Sequence, residues 1–326
     1  MAKNLADVAL NSKDDFLVPL DWVGMQSIEV PVRWQGMTIP AKVDAQVRLE
    51  QPQRGIHMSR LYMAVQKYLS ENELSAVILQ NLCADFLQTH ADLSSQAKLK
   101  VRFELPLQKK ALVSENQSWR QYPIEITVLQ KKQKPVQVFV DFTVTYSSTC
   151  PASAALSRQL IQEQFLKDFV GGAVVSGAGA TAAAVSGAPA ISAEKIHEWL
   201  GSTLGIVATP HAQRSTARVK LQWLVDEARD LDFMTCVQTW IFLVEEALKT
   251  PVQGAVKRVD EQAFALLNGQ NLMFCEDAAR RLKKIFLEQT NIVDYVCEVQ
   301  HLESLHPHNA TCRVSAGKNL LGFDAE

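Results

Sequence analysis

Residues 136–146 read Val-Gln-Val-Phe-Val-Asp-Phe-Thr-Val-Thr-Tyr, and every second side chain from Val136 to Tyr146 is apolar or aromatic. This strict period of two is typical of a β-strand that has one face on the core. Residues 214–224 are predicted to form its partner strand. A sheet with one apolar face must bury that face against another layer of structure.

Outward from this strand, one order of elements occurs twice along the chain. The first pass has predicted strands at 26–35 and 41–50, helices at 57–70 and 72–90, and strands at 99–105 and 124–128. The second pass has predicted strands at 136–146 and 214–224, helices at 230–249 and 274–289, and strands at 292–300 and 308–315. This doubled order predicts an α+β fold in which helices pack on one face of an antiparallel sheet.

The charged turn at 131–135 marks a boundary between the two passes. We therefore predict an N-terminal tail over 1–19, a first repeat over 20–132 and a second repeat over 133–326. Exposed sheet edges favour the closing of barrels by oligomerisation.

Composition indicates a soluble globular protein. The chain has 326 residues, 47% hydrophobic residues and a formal charge of −2, which argues against nucleic-acid binding by bulk electrostatics. The first residues show no apolar leader, and the six cysteines show no paired CxxC spacing. We therefore expect reduced thiols and a cytoplasmic location.

One Gly/Ala-rich segment fits neither pass. No charged residue occurs between Phe169 and Ala193, and we assign about 165–205 to an insertion in the second repeat. The small side chains make this segment only weakly apolar for a membrane span. A mobile insertion, or a small-residue helix at a subunit contact, is the favoured interpretation, and no membrane partner is expected.

Several polar clusters lie at the predicted ends of elements. Cys150 ends the alternating strand, where it is either a half-buried structural thiol or a thiolate ligand or nucleophile. His211 precedes the partner strand and is either a surface residue or a metal ligand. Lys257 and Arg258 suit phosphate oxygens, and the nearby Glu261 suits a metal, although a solvated helix start has the same composition.

Two further clusters occur near the C-terminus. Glu276 lies at the start of the last predicted helix, where it would interact favourably with the helix dipole or accept hydrogen bonds from a guanine edge. Glu303 and His306 lie in a short linker between strands. They would form an acid/base pair if both point into one cavity.

Six short runs, in order, resemble GTP cyclohydrolase of type IB from about residue 20 to the end of the chain. These runs are Gly55–Arg60, Cys150-Pro151, His211–Ser215, Lys257–Glu261, Glu276-Asp277 and Glu303–His308. The resemblance implies the tunnelling fold in a bimodular arrangement. It also implies a homotetramer that has its active sites between subunits.

The resemblance implies GTP as substrate and a divalent metal, Zn²⁺ or Mn²⁺, as cofactor. Formate and 7,8-dihydroneopterin triphosphate would be the products, the latter for folate biosynthesis. The roles implied are metal binding by Cys150, His211 and Glu261, catalysis by Cys150, Glu303 and His306, guanine binding by Glu276, triphosphate binding by Arg214, Lys257 and Arg258, and a place in the substrate pocket for His57 and Arg60.

The chain departs from the family pattern in three places. Ala152 replaces the second Cys of Cys-Pro-Cys, Ala212 replaces the usual Asn, and a longer segment separates Cys150 from His211. These departures leave open a catalytically weak or inactive purine- or pterin-binding paralogue. The nitrile oxidoreductase of queuosine synthesis, another tunnelling-fold enzyme that uses a Cys, is a further alternative. It needs NADPH, and the sequence shows no matching cofactor motif.

Overall fold

A computed structural model describes residues 18–51, 53–170, 191–225 and 233–316. Most of the predicted tail and residues 171–190 of the predicted insertion lie outside these ranges. The interpretation of the insertion as a mobile segment therefore stays a prediction.

Eight antiparallel strands form one sheet, and each strand pairs with the next along the chain. The strands are β1 (Leu20–Trp34), β2 (Met37–Leu49), β3 (Gln96–Lys110), β4 (Gln117–Lys131), β5 (Gln137–Thr149), β6 (Ala212–Trp223), β7 (Ile292–His301) and β8 (Ala310–Ser315). The strand at 136–146 is confirmed as β5, and its predicted partner is β6, with Phe142 opposite Val219.

Seven helices lie in the described ranges. They are α1 (Met58–Glu71), α2 (Ala76–Thr89), α3 (Pro151–Phe169), α4 (Ala193–Leu200), α5 (Phe233–Leu248), α6 (Arg258–Gln270) and α7 (Cys275–Leu287). None of these helices is both long and apolar enough to cross a bilayer.

The core lies between the helices and one face of the sheet. Helices α1 and α2 pack against β1 to β4, whereas α5 and α7 pack against strands of the second half. Every second residue of β5 is buried, because those side chains face this core. Large side chains such as Phe86, Phe142 and Trp240 fill it. This arrangement confirms the predicted α+β fold with helices on one face.

The opposite face of the sheet is polar. Arg102 on β3 pairs with Asp44 on β2, and Arg218 on β6 pairs with Asp141 on β5 at 2.6 Å. Burial raises the pKa of Asp141, and the Arg218 guanidinium opposes this shift. These ion pairs keep this face of the sheet polar and unsuited to a second apolar layer.

The sequence analysis did not predict three of the helices, α3, α4 and α6. Only Ala154, Ser157 and Leu166 of α3 are buried, and the only buried residue of α6 is Asp260. Neither helix therefore has the apolar stripe that periodicity detects. Helix α3 continues to Phe169, and α4 spans Ala193–Leu200, so both elements reach into the predicted insertion. The division into repeats at residue 132 stays a prediction, since β4 and β5 pair across it.

Candidate functional site

Cys150 and His211 lie side by side where β5 ends and β6 begins. The Cys150 N–H donates to the His211 carbonyl at 3.3 Å, and the His211 N–H donates to Ser153 Oγ at 3.1 Å. Cys150 caps α3, and Pro151 takes the first helical position, where its missing N–H has no cost. The half-buried thiol and the imidazole therefore belong to two elements whose backbones are tied together.

A short hydrogen-bond chain joins His211 to Glu303. His211 Nδ1 lies 2.9 Å from Gln213 Oε1, and Gln213 Nε2 donates to Glu303 Oε1 at 3.3 Å. Glu303 Oε2 is 3.8 Å from His211 Nδ1. Because an amide oxygen only accepts, this contact favours the tautomer of the neutral ring in which Nδ1 carries the hydrogen and Nε2 has the lone pair that a metal ligand needs.

Gln213 is a site residue that the sequence analysis did not single out. Its side chain is buried between His211 and Glu303, and it bonds to both. The only available signal was its place in the run from His211 to Ser215.

The start of α7 lies next to the same end of the sheet. The Met273 N–H donates to the carbonyl of Thr149, the residue before Cys150, at 3.2 Å. Glu276 is exposed in the first turn of α7, whereas the neighbouring Asp277 accepts from the Phe274 N–H at 3.0 Å. Asp277 therefore caps the helix, and the Glu276 carboxylate is available for another role.

Tyr146 and His301 form a buried polar pair close enough to Glu276 for its charge to act on His301. Tyr146 Oη and His301 Nε2 share a hydrogen bond of 2.9 Å. Burial lowers the pKa of His301 to about 4, although the charge of Glu276 acts in the opposite direction. The imidazole is therefore neutral near pH 7 and joins the end of β7 to β5.

Cys275, at the start of α7, is a structural thiol. Its Sγ lies 3.5 Å from the Val299 carbonyl and 3.6 Å from the Ala310 carbonyl. Burial raises the pKa of Cys275 to about 12, so the thiolate is not formed near neutral pH.

A cavity of about 400 Å³ connects the end of the sheet to α6. Arg214 and Glu261 line it, together with Tyr146 and Gln213. Lys257 and Arg258 begin α6 and are exposed. The structure thus gathers Arg214, Glu261 and the start of α6 in one region.

His57 and Arg60 occupy a different part of the chain. They begin α1 in the first half, where Arg60 Nη1 donates to the Thr89 carbonyl at 2.6 Å. The charges of both residues act on the nearby His90. Neither residue lines the cavity that holds Arg214 and Glu261.

His306 lies with Glu303 in the loop between β7 and β8, as predicted. Its ring stacks on His308, with centroids 5.0 Å apart and planes 13° apart. Glu303 is half-buried, whereas His306 is exposed. The loop therefore directs the acid towards Gln213 and leaves the imidazole on the surface of this chain.

The donor atoms suit a divalent metal by type. A Cys sulfur, a His nitrogen and a carboxylate oxygen are all common zinc ligands. Within the described ranges, however, no three His, Cys, Asp or Glu side chains come close enough together to hold one ion. Cys150 and His211 share one end of the sheet, and Glu261 lies on α6.

Comparison with known proteins identifies one family. The model of the type I GTP cyclohydrolase FolE2 family matches residues 5–312. GTP cyclohydrolase FolE2 of Bdellovibrio bacteriovorus is 48% identical over 326 residues, covering 98% of this chain and 99% of the relative. GTP cyclohydrolase FolE2 of Pseudoalteromonas translucida is 42% identical over 297 residues, covering 89% of this chain and 90% of the relative.

Solved structures resemble the chain in fold alone. Uricase from Arthrobacter globiformis superimposes with a TM-score of 0.50 at 7% identity, covering 94% of this chain and 97% of the uricase. A hyper-thermostable uricase mutant superimposes with a TM-score of 0.52 at 6% identity, covering 92% of this chain and 94% of the mutant. These similarities confirm the tunnelling fold.

Proposed function

Because this chain belongs to the type I GTP cyclohydrolase FolE2 family, we propose that it opens the imidazole ring of GTP hydrolytically. Formate is released, and the product is 7,8-dihydroneopterin triphosphate for folate biosynthesis in the cytoplasm. The observation that carries this proposal is the cluster in which His211, Gln213 and Glu303 are linked beside Cys150.

Cys150 and His211 would hold the divalent metal, with Glu261 as the carboxylate ligand. A bound Zn²⁺ or Mn²⁺ ion supplies Lewis-acid activation of water. The protein presents His211 Nε2 for this purpose, because Gln213 occupies the Nδ1 side of the ring.

Glu303 and His306 would transfer protons during ring opening. The Gln213 amide orients the Glu303 carboxylate through Oε1, while Oε2 faces His211. An oriented carboxylate can accept or return a proton at a fixed point in the site. His306 on the same loop is the second candidate, and closure of the loop over substrate would bring it to the reacting ring.

Glu276 would hold the guanine ring, because one carboxylate can accept from the ring N–H and from the exocyclic amine. Arg214, Lys257 and Arg258 would contact the triphosphate. Arg214 lines the cavity beside Glu261, and the two exposed cations begin the helix that carries Glu261.

His57 and Arg60 would reach the pocket from a neighbouring subunit of a homotetramer. Their position beside Thr89 and His90 in the first half supports this assignment, since the other proposed site residues lie in the second half. A site shared between subunits would also explain why one chain gathers only part of the metal donors.

Formate release from GTP tests the proposal. Purified protein supplied with Zn²⁺ or Mn²⁺ should release one formate for each GTP consumed, and chelation should stop the reaction. GTP binding without formate release would instead identify a non-catalytic purine-binding paralogue. NADPH-dependent reduction of a nitrile substrate without formate release would identify the oxidoreductase.

A further inference from the structure

The carboxylate of Asp260 is fully buried, and the chemistry proposed above does not use it. Its Oδ1 accepts from the Val113 and Ser114 N–H groups, each at 2.8 Å. Its Oδ2 accepts from Ser114 Oγ at 2.6 Å and from the Lys257 N–H at 2.7 Å. The hydrogen bonds from Ser114 hold the pKa of Asp260 well below its usual range, so the group stays ionised.

These four bonds connect two parts of the chain that are far apart in sequence. Val113 and Ser114 form the tip of the β3–β4 hairpin, which belongs to the first half. Lys257 caps α6 in the second half. Asp260 therefore ties the hairpin tip to the first turn of α6, and we call this contact the hairpin clamp.

Helix α6 has few other anchors. Asp260 is its only buried residue, and its apolar Val259 and Leu266 are exposed. Further along the helix, Asn268 Oδ1 accepts from Ser147 Oγ at 2.8 Å. A helix without an apolar stripe on the core is positioned by its polar contacts.

We propose that Asp260 is a positioning residue, which sets the first turn of α6 against the hairpin tip and thereby places Glu261, Lys257 and Arg258. This inference rests on the roles proposed for those three residues. A carboxylate is required because all four groups around it are donors, and an amide NH₂ in place of one oxygen would face a donor.

A second buried acid provides a matched control. Glu245 on α5 binds the same hairpin through Lys109, Arg120 and Tyr122, and the Tyr122 hydroxyl donates to it at 2.5 Å. These three bonds lead to β3 and β4 and not to α6. Loss of Glu245 should therefore destabilise the hairpin without moving the first turn of α6.

The kinetic test compares Asp260→Asn, Ser114→Ala, Ser114→Thr and Glu245→Gln in the full-length protein. Because small misplacements of binding groups are costly, kcat/KM for GTP should fall about tenfold or more in Asp260→Asn and less in Ser114→Ala. Ser114→Thr keeps the hydroxyl and should restore activity. Glu245→Gln should lower Tm yet keep kcat/KM within about twofold. Wild-type kcat/KM in both Asp260→Asn and Ser114→Ala would overturn the proposal.

Hydrogen exchange at residues 257–261 gives a readout that needs no activity. Exchange there should be faster in Asp260→Asn and Ser114→Ala than in Glu245→Gln, because local opening follows the loss of local bonds. Equal exchange in the three variants would overturn the clamp. If the wild-type protein releases no formate, the proposed function fails, while this comparison still decides whether Asp260 positions α6. If Asp260→Asn does not fold, Ser114→Ala and Ser114→Thr decide both tests.

Discussion

At the start of α7, two adjacent acids have different surroundings. Asp277 caps the helix through the Phe274 N–H and pairs with Arg280 at 3.0 Å. Glu276 is exposed, and its charge acts on His301 at the end of β7. A helix dipole attracts both acids equally, so only the contacts distinguish a structural acid from a binding acid.

Glu276→Gln should therefore affect activity, whereas Asp277→Asn should affect stability. Charge-assisted hydrogen bonds contribute about 1.5–3 kcal/mol, so Glu276→Gln should lower kcat/KM for GTP about tenfold or more with little change in Tm. Asp277→Asn removes a negative charge from the helix N-terminus and should lower stability by about 0.3–1 kcal/mol, with kcat/KM near that of the wild type. Steady-state kinetics and thermal unfolding of both variants measure this, and normal turnover in Glu276→Gln would refute the guanine role.

His301 should make the protein sensitive to acid. Its pKa of about 4 in the folded state lies below the usual value near 6.5, because burial disfavours the charged ring. Between these pH values His301 is protonated in the unfolded chain but neutral in the folded protein. The contribution of His301 to the free energy of unfolding is therefore fully present above about pH 6.5 and is lost as pH falls towards 4. Asp260 titrates below this window, since its pKa is held well below its usual range. The free energy of unfolding, measured between pH 7 and pH 4, should fall less steeply for His301→Gln than for the wild type. Parallel curves of the two proteins would contradict this account.

At the scale of elements, the sequence predicted the strands and helices in which apolar side chains recur at a regular spacing. Val138, Val140 and Phe142 are buried at every second position, so β5 was readable from alternation alone. Helices α3 and α6 have almost no buried apolar residues. Hydrogen bonds and aromatic contacts with Trp199 hold α3, and hydrogen bonds of Asp260 and Asn268 hold α6. Propensity and periodicity carry no information about such contacts, because the partners lie far away in sequence.

The segment between α3 and α4 should be dispensable for folding. The two helices already contact each other through Trp199, whose Nε1 donates to Asp168 at 2.8 Å and whose ring lies 5.4 Å from that of Phe165. Replacement of residues 171–190 by a short Gly/Ser linker should leave Tm within a few degrees of the wild type, because loop closure depends weakly on loop length. Thermal unfolding and gel filtration check this result, and an aggregated or unfolded product would show that the segment contributes to the fold.

At the scale of the whole molecule, the site residues divide between the two halves of the chain. Cys150, His211 and Glu303 meet at one end of the second half. His57 and Arg60 begin α1 in the first half, beside the end of α2. A site that uses both groups would therefore need a second copy of the chain.

Mixed oligomers should reveal whether subunits share the site. His57→Ala and Cys150→Ala should each be inactive as homo-oligomers, since each lacks one side of the pocket. When the two variants are unfolded and refolded together in equal amounts, random assembly should restore about a quarter of the sites. Formate release by the mixture measures this recovery. A mixture as inactive as its components would place both residues in a site within one subunit.

The most direct measurement is the metal content and formate release of Cys150→Ala, with Cys236→Ala as a matched half-buried thiol on α5. A thiolate ligand has no substitute in alanine, so Cys150→Ala should lose most of its metal and its formate release while keeping its Tm within a few degrees. Cys236→Ala should retain metal and activity. Full metal content together with wild-type formate release in Cys150→Ala would contradict the assignment of this end of the sheet as the metal-dependent active site.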